Sequence, residues 1–346
     1  MTRGTDLWEL ALGFMDAQAV LTAEALGVFQ ALDPEPRSAA EVARAAGLPE
    51  DGALRLLTFL CSLGVVERRQ PDRFANAAEA AEKLVPGKPG YVGGMFRHLR
   101  EELYLAWSRL GEALRAARGD REGAPDRELP TENLFSDPEA LRAFMEGMHA
   151  ITRPAARELA EHADELEGLR SLVDVGGASG ALVLEMARRH PGLEATVFDL
   201  PPVRRLAEER FRSSELGDRL RFQPGDFWKD PLPAGADAYA LGFVLHDWDR
   251  TGGSLLLGKI AEAARPGSWL IVGEYLLDDD RTGPRFVARQ DLNMLLAARG
   301  RERTAAEYRE WLGEHGFTVE RILPTSRGKN YMLARYEGAA AGPGSG

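Results

Sequence analysis

The sequence predicts an α/β protein in which a parallel sheet covered by helices follows a mostly helical domain. Beyond Leu169, short apolar segments alternate with amphipathic segments, which is typical of the strands and helices of such a sheet. From Trp8 to about Val85, apolar residues instead recur three and four positions apart, as they do in helices. The length of 346 residues also favours two domains over one.

The composition argues against several classes of protein. Hydrophobic residues make up 44% of the chain and charged residues 28%, close to the averages of globular proteins. The formal net charge of -11 disfavours binding to nucleic acid or to an anionic membrane. The single cysteine, Cys61, permits no disulfide within the chain. Since the sequence has neither a leader pattern nor an apolar run of about 18 residues, we expect a cytoplasmic protein with no membrane contact.

The N-terminal region contains the pattern of a helix-turn-helix. Ser38 and Glu41 form a capping-box pattern ahead of a short helix at residues 42–46. A Gly-Leu-Pro turn at 47–49 then leads into a second helix that extends through Leu60.

Two short strands at 65–68 and 73–74 would complete a winged helix. A winged helix often reads DNA, but a DNA reader needs several cationic or amide side chains facing a groove. Arg55 is the single basic residue of the second helix. We therefore expect this module to be buried against a second subunit, not bound to nucleic acid.

A glycine-rich turn follows the first strand of the C-terminal half. It spans Gly176 to Gly180 and leads into a helix, whose N-terminus suits an anionic group. A dinucleotide fingerprint requires a glycine where Ala178 stands, so NAD and FAD are disfavoured. The strands predicted in this half are residues 171–175, 195–199, 219–223, 238–244, 269–274, 318–323 and 331–336.

Acidic residues follow the next two strands. Asp199 ends the second strand, where a carboxylate can accept hydrogen bonds from both hydroxyls of a ribose. Asp226 follows the third strand and could accept a hydrogen bond from an adenine amino group, with Phe227 or Trp228 against the ring. Because open α/β sheets bind ligands at the carboxyl ends of their strands, these residues and the glycine turn predict a nucleoside site.

Three stretches resemble the class I O-methyltransferases, and specifically the family that includes the caffeic acid and acetylserotonin O-methyltransferases. They are Gly-Asp-Phe-Trp-Lys-Asp-Pro-Leu-Pro at 225–233, Val-Leu-His-Asp-Trp at 244–248 and Asp-Leu-Asn-Met-Leu at 291–295. The resemblance extends from Phe14 to Tyr336. It implies a Rossmann-like domain that binds S-adenosylmethionine and a winged-helix-like domain that forms a homodimer.

The resemblance also implies roles for individual residues. His246 would be the general base, flanked by Glu274 and Glu302, and would act on the hydroxyl of a small aromatic acceptor. The residues implied at the cofactor are Asp174, Gly176, Gly177, Gly180, Asp199, Leu200, Asp226 and Phe227. Those implied at the acceptor are Asp247, Asn293, Met294, Tyr104 and Trp107.

The expected organisation has four parts. A winged-helix-like dimerisation domain occupies residues 1–100, and a helical linker that contributes to the acceptor pocket occupies 101–165. The Rossmann-like catalytic domain occupies 166–338, and a disordered tail occupies 339–346. Within the linker, the polar, proline-containing stretch 119–132 is expected to be an exposed loop.

Other roles are open for some of these residues. His246 would also suit a polar position that ends a strand and caps the helix beginning near Asp249. Glu302 would suit a solvated helix start, and Met294 a core position. The remaining histidines, at 98, 149, 162, 190 and 315, lack ligand spacing, so we expect no metal.

The chain departs from the family pattern at three positions. Ala178 replaces a common glycine, and Gly242 and Phe243 stand where relatives often carry a Lys or Arg. Two alternative functions follow from the same motifs: a cofactor-retaining hydroxylase or decarboxylase acting on polyketides, and a winged-helix regulator that senses a metabolite. His246 beside a carboxylate argues against the first, and the net negative charge argues against the second.

Overall fold

The computed structural model describes residues 6–116, 137–298 and 300–338. The described residues form two compact units. The first contains the chain up to Leu105 together with Arg142–Ala150, and the second contains the remainder. The expected loop at 119–132 and the expected tail at 339–346 lie outside the described residues. The domain boundaries expected from the sequence stay predictions.

The first unit is mostly helical, and its capping box is formed. The Glu41 backbone N–H donates to Ser38 Oγ at 3.3 Å, and the Ser38 backbone N–H donates to Glu41 Oε2 at 2.7 Å. Because this box satisfies the first free N–H groups, the helix begins at Ala39, earlier than the predicted residue 42. The helices of this region are α1 (Leu7–Ala25), α2 (Val28–Ala31), α3 (Ala39–Ala46), α4 (Glu50–Ser62), α5 (Ala78–Lys83) and α6 (Gly93–His98).

Two antiparallel strands follow the helix-turn-helix, β1 (Val66–Gln70) and β2 (Arg73–Asn76). They lie where the sequence predicts the strands of a wing. Phe29, Leu57 and Phe74 are buried together in the core of this unit. The unit therefore has the element order of a winged helix.

Helix α1 leaves many apolar side chains exposed. Trp8 is 74% exposed, and the others are Leu7, Leu10, Leu12, Phe14 and Met15. Clustered exposed apolar side chains of this size mark interaction surfaces in globular proteins.

The second unit is built on a sheet with the strand order β5–β4–β3–β6–β7–β10–β9. The first five strands in this order are parallel, and β10 is antiparallel to both of its neighbours. A two-residue strand, β8, pairs with β7 and was not predicted. The strands are β3 (Ser171–Val175), β4 (Glu194–Asp199), β5 (Leu220–Pro224), β6 (Ala238–Gly242), β7 (Trp269–Leu277), β8 (Arg303–Thr304), β9 (Phe317–Pro324) and β10 (Lys329–Tyr336).

Helices pack on the sheet through two separate hydrophobic clusters. Leu172 and Ile271 belong to one cluster, whereas their neighbours Val173 and Val272 belong to the other, as the alternation of side chains along a strand requires. Strands buried on both faces need nearly continuous apolar sequence, and for this reason the sequence predicts strands in this region. The remaining helices are α7 (Tyr104–Trp107), α8 (Leu110–Ala116), α9 (Pro138–Glu161), α10 (Ala181–Arg189), α11 (Arg204–Ser213), α12 (Arg250–Ala263), α13 (Arg285–Ala297) and α14 (Ala305–Glu314).

The chain order of the strands reverses between β3 and β6, since β4 lies on the outer side of β3 and β7 on the outer side of β6. Such a switch point opens a crevice at the carboxyl ends of the two strands. β6 ends at Gly242 and not at the predicted residue 244, because Phe243 takes a φ of 56° and leaves the extended conformation. The glycine turn and the segment containing His246 follow the two strands at this switch point.

No helix within the described ranges is long and apolar enough to cross a membrane.

Candidate active site

The segments that follow β3, β4 and β5, here called the cofactor edge, begin with the glycine turn. Gly176, Ala178 and Gly180 have φ values of 72°, 50° and 76°. A Cβ on Gly176 would lie 2.9 Å from Val244 Cγ2, and one on Gly180 would lie 2.6 Å from Phe211 Cε1. Packing and backbone conformation therefore both require these two glycines. Ala178 also adopts a left-handed conformation, which favours glycine.

Asp199 at the end of β4 holds the glycine turn in place. Its Oδ2 accepts the Ala178 backbone N–H at 2.7 Å, and its Oδ1 accepts the Leu200 backbone N–H at 2.6 Å. Burial raises the pKa of Asp199 to about 6, and these two hydrogen bonds oppose the rise. Each carboxylate oxygen retains acceptor capacity beyond the backbone bond it makes.

Asp174 lies beneath the glycine turn near the end of β3. Burial raises its pKa to about 7, while the ammonium of Lys329 lowers it and the nearby Asp199 adds to the rise. A Cβ on Gly177 would lie 2.5 Å from Asp174 Oδ2, so the backbone of the turn packs directly on this carboxylate. The predicted cofactor residues of β3 and β4 are thus one contiguous group.

Asp226 and Phe227 lie together in the loop after β5. Asp226 Oδ1 accepts the Trp228 backbone N–H at 2.8 Å, and Oδ2 lies 2.8 Å from Lys229 Nζ. Burial works to raise the pKa of Asp226, but Lys229 and the backbone bond outweigh it and lower that pKa. The Phe227 ring packs edge-on against Trp228 and Trp248, with centroid distances of 4.9 and 6.1 Å.

His246 lies in a short 3₁₀ helix, Leu245–Asp247, that follows β6 and is here called the catalytic turn. Glu274 of β7 fixes this turn. Its Oε1 accepts the backbone N–H groups of Val244, Leu245 and His246 at 3.2, 3.0 and 3.4 Å. One fully buried carboxylate thus satisfies three consecutive donors.

Two buried carboxylates face Nδ1 of His246. Glu302 Oε1 lies 3.0 Å from Nδ1 and Glu274 Oε2 lies 3.5 Å from it, while Asp247 Oδ1 lies 3.6 Å from Nε2. The hydrogen bond to Glu302 holds a proton on Nδ1, so Nε2 is the nitrogen that gains or loses one. Burial lowers the pKa of His246, but Glu274, Asp247 and Glu302 together raise it to about 10.

The same side chains satisfy the distance condition for a metal site. One ligand atom each from His246, Glu274 and Glu302 lie within 4.8 Å of one another, and all three residues are buried. A metal bound through Nδ1 would displace the hydrogen bond to Glu302, and Glu274 Oε1 already accepts three backbone N–H groups. The expectation that the protein holds no metal stays a prediction.

The residues expected at the acceptor are partly brought together. Asn293 and Met294 lie on α13 and are buried, and Trp107 Nε1 donates to Asn293 Oδ1 at 3.1 Å. Asp247 lies beside His246 in the catalytic turn. Tyr104 belongs to the first unit, and its role at the acceptor stays a prediction.

Three further side chains at this site were not predicted. Arg303 donates to the carbonyls of Leu245 at 3.4 Å and Trp248 at 3.2 Å, so it fixes the catalytic turn from the opposite side. Phe243 stacks on His246 with ring centroids 5.4 Å apart, and the Lys329 ammonium lies 3.8 Å from the centre of the Phe243 ring. In the sequence, Arg303 lies in a charged run and Lys329 in a polar one, so both resemble surface charges.

Family models match most of the chain. Residues 107–318 match the O-methyltransferase domain, and residues 8–86 match the O-methyltransferase dimerisation domain. These matches confirm the resemblance and the fold class predicted from the sequence.

Individual relatives match nearly the whole chain. A 3-hydroxy-5-methyl-1-naphthoate 3-O-methyltransferase of Streptomyces sahachiroi is 37% identical, over 95% of this chain and 94% of its own. An acetylserotonin O-methyltransferase of Bos taurus is 38% identical, over 95% and 96%. The crystal structure of human N-acetylserotonin methyltransferase in complex with SAM matches with a TM-score of 0.85 and 32% identity, over 98% of this chain and 100% of that one. This chain therefore belongs to the family of S-adenosylmethionine-dependent O-methyltransferases.

Proposed function

We propose that this chain transfers a methyl group from S-adenosylmethionine to the hydroxyl of a small aromatic acceptor, with His246 as the general base. The observation that carries the proposal is the pairing of His246 Nδ1 with Glu302 at 3.0 Å, at the same strand ends as the glycine turn. S-adenosylmethionine supplies a methyl group that its sulfonium already activates. The residues of this chain therefore have to bind and orient two molecules and move one proton.

The cofactor edge fits an adenosine that carries an amino-acid tail. Asp199 would accept the two ribose hydroxyls with the acceptor capacity that its backbone hydrogen bonds leave over. Asp226 and Phe227 would hold the adenine. The nine-residue helix α10 has Gly180 as its N-cap residue, and Gly180 has no side chain to cap the helix. The N-terminal N–H groups of α10 therefore suit the carboxylate of the amino-acid tail.

His246 would accept the hydroxyl proton of the acceptor at Nε2 as the oxygen gains the methyl group. Glu302 keeps the other ring proton on Nδ1, and the nearby carboxylates stabilise the imidazolium that forms. These carboxylates raise the pKa of His246, so they favour the imidazolium that forms when the acceptor gives up its proton.

An aromatic acceptor suits the surroundings of His246. Phe243 stacks on the imidazole, and Tyr275 packs on Phe243 with ring centroids 4.8 Å apart. The relatives described above are named for a hydroxynaphthoate and for acetylserotonin, both of which are aromatic. The residues that would line the acceptor are Asp247, Asn293, Met294 and Trp107.

His246→Gln tests the assignment of the base. Glutamine keeps a polar side chain but cannot take up a proton, so turnover should fall by about 10²- to 10⁴-fold. Calorimetry should show unchanged binding of S-adenosylmethionine. His162→Gln is the matched control, because His162 is exposed and pairs with Glu165 outside this site.

Wild-type turnover in His246→Gln would contradict the assignment. The same assay, run with methyl-labelled cofactor and a panel of phenols, naphthols and hydroxyindoles, separates methyl transfer from its alternatives by product mass. A hydroxylated or decarboxylated product without the label would favour the alternative activity.

We infer that the chain forms a homodimer through its N-terminal domain. Two observations support this inference: the match of residues 8–86 to a dimerisation domain, and the exposed apolar side chains of α1. Light scattering in solution should give twice the mass of one chain, and the mass of a single chain would contradict it.

A further inference from the structure

We propose that Lys329 is a positioning residue of the catalytic turn, whose buried ammonium sets the charge balance that controls proton transfer at His246. The inference rests on the proposed role of His246 as the base. Lys329 begins β10, a strand that carries none of the other residues assigned to this site.

Two glycines make room for the Lys329 side chain. A Cβ on Gly273 of β7 would lie 2.7 Å from Lys329 Cε, and a Cβ on Gly242 of β6 would lie 3.2 Å from Lys329 Nζ. Gly242 and Gly273 are direct partners in the pairing of β6 with β7. The Lys329 side chain thus extends from β10 across β7 at the level where β6 and β7 both carry a glycine. Lys329 is only 2% exposed.

The Lys329 ammonium and the His246 imidazole both contact the Phe243 ring. Lys329 Nζ lies 3.8 Å from the centre of the Phe243 ring, and the His246 ring centre lies 5.4 Å from the same point. The two cationic groups are therefore at most about 9 Å apart in the buried site. A cation against an aromatic face is attractive, so Lys329 also holds Phe243 on the imidazole.

Carboxylates on two strands balance this ammonium. Asp174 of β3 and Glu274 of β7 are buried, and Lys329 lowers the pKa of each against the effect of burial. Burial lowers the pKa of Lys329 itself, and the same two carboxylates oppose that change. The other titratable groups in this cluster are Tyr275, Tyr331, Asp247 and Glu302.

The direction of the electrostatic effect follows from these charges. The carboxylates favour the protonated form of His246, and a nearby ammonium opposes it.

Lys329→Met removes the charge and keeps most of the side-chain length. Burial lowers the pKa of Lys329 to about 8, so the ammonium is present below that pH. Without it, His246 should hold its proton more tightly there, and the acid limb of the kcat/KM profile below about pH 8 should move to higher pH by on the order of one unit. Gly242→Ala should give a smaller shift of the same sign, because its Cβ would displace Nζ. Lys88→Met, which removes a half-exposed lysine in the first unit, should leave the limb in place.

A purely structural role for Lys329 would lower turnover without moving the acid limb. An unmoved limb in folded Lys329→Met therefore overturns the inference, and Lys329→Gln, which also removes the charge, provides the same test if Lys329→Met does not fold. If His246→Gln abolishes the limb while Lys329→Met leaves it unchanged, only the role of Lys329 is wrong. If His246→Gln keeps both its turnover and its limb, the assignment of His246 as the base is wrong.

Discussion

The cofactor edge and the catalytic turn follow neighbouring strands of one sheet, but they are built differently. At the cofactor edge, Asp199 accepts the backbone N–H groups of Ala178 and Leu200, and Asp226 accepts that of Trp228. At the catalytic turn, the groups around His246 come from separate elements, with Glu274 on β7 and Glu302 just before β8. The carboxylate hydrogen bonds of Asp199 and Asp226 join residues at most 21 positions apart, whereas those that Glu274 and Glu302 make to the segment around His246 join residues 28 to 56 positions apart.

Because of this difference, we expect substitutions in the two regions to affect different properties: cofactor binding in the first region, and stability and pH dependence in the second. Substitutions at the cofactor edge should change cofactor affinity through the carboxylates that accept the backbone N–H groups of Ala178, Leu200 and Trp228. Substitutions around His246 should change stability and pH dependence, because they disturb buried charges shared by several strands. Three experiments test this division.

Glu274→Ala should have the largest effect, and it should be on stability. The substitution leaves the buried N–H groups of Val244, Leu245 and His246 without their acceptor. Each unsatisfied buried group costs about 1–3 kcal/mol, so the free energy of unfolding should fall by at least about 3 kcal/mol. Urea denaturation followed by tryptophan fluorescence measures this change. Glu274→Gln, which keeps an acceptor oxygen, should lose less, and equal stability in all three proteins would contradict the role of this carboxylate.

Asp199→Ala should weaken S-adenosylmethionine binding by about 10- to 100-fold, because it removes two proposed ribose hydrogen bonds and releases the Ala178 N–H. Calorimetry measures the affinity. The acid limb of the pH profile should stay at its wild-type position, since Asp199 lies at the cofactor edge, where its carboxylate is held by the backbone N–H groups of Ala178 and Leu200. Unchanged affinity, or a moved limb, would break the division between the two regions.

Glu302→Gln should have the smallest effect on folding and a distinct effect on pH dependence. Glu302 is one of the carboxylates that raise the pKa of His246 to about 10. A neutral amide at this position removes one negative charge, but its oxygen can still accept a hydrogen bond from the Nδ1–H group of His246. The imidazole should therefore lose its proton at lower pH, and the acid limb of kcat/KM should move down, opposite to the shift expected for Lys329→Met. An upward shift would show that Glu302 does not act through its charge.

Much of the fold and of the cofactor edge is predictable because their signals are local. Apolar strands that end in Gly176, Asp199 or the loop at Asp226 are visible in short stretches of sequence. Local backbone detail is less predictable: the left-handed Phe243 ends β6 early, and the capping box starts α3 before residue 42.

Short sequence patterns predict less of the catalytic turn than of the cofactor edge. The family resemblance supplies His246, Glu274 and Glu302, and the structure brings these three residues within contact distance. No short pattern indicates that Arg303 and Lys329 are buried, because their burial depends on strands distant in the sequence. A charged residue in a polar run resembles a surface residue until the sheet places it beside β6.

Gly300 has a consequence for engineering this enzyme. A Cβ there would lie 2.1 Å from the His246 carbonyl oxygen and 2.5 Å from the Trp248 backbone nitrogen, so no other residue fits without moving the His246 backbone. Asn293 and Met294 precede it on α13 and belong to a helix with exposed as well as buried positions. Libraries of variants for new acceptors can therefore vary α13, provided that they keep Gly300, because a side chain there would displace the His246 backbone.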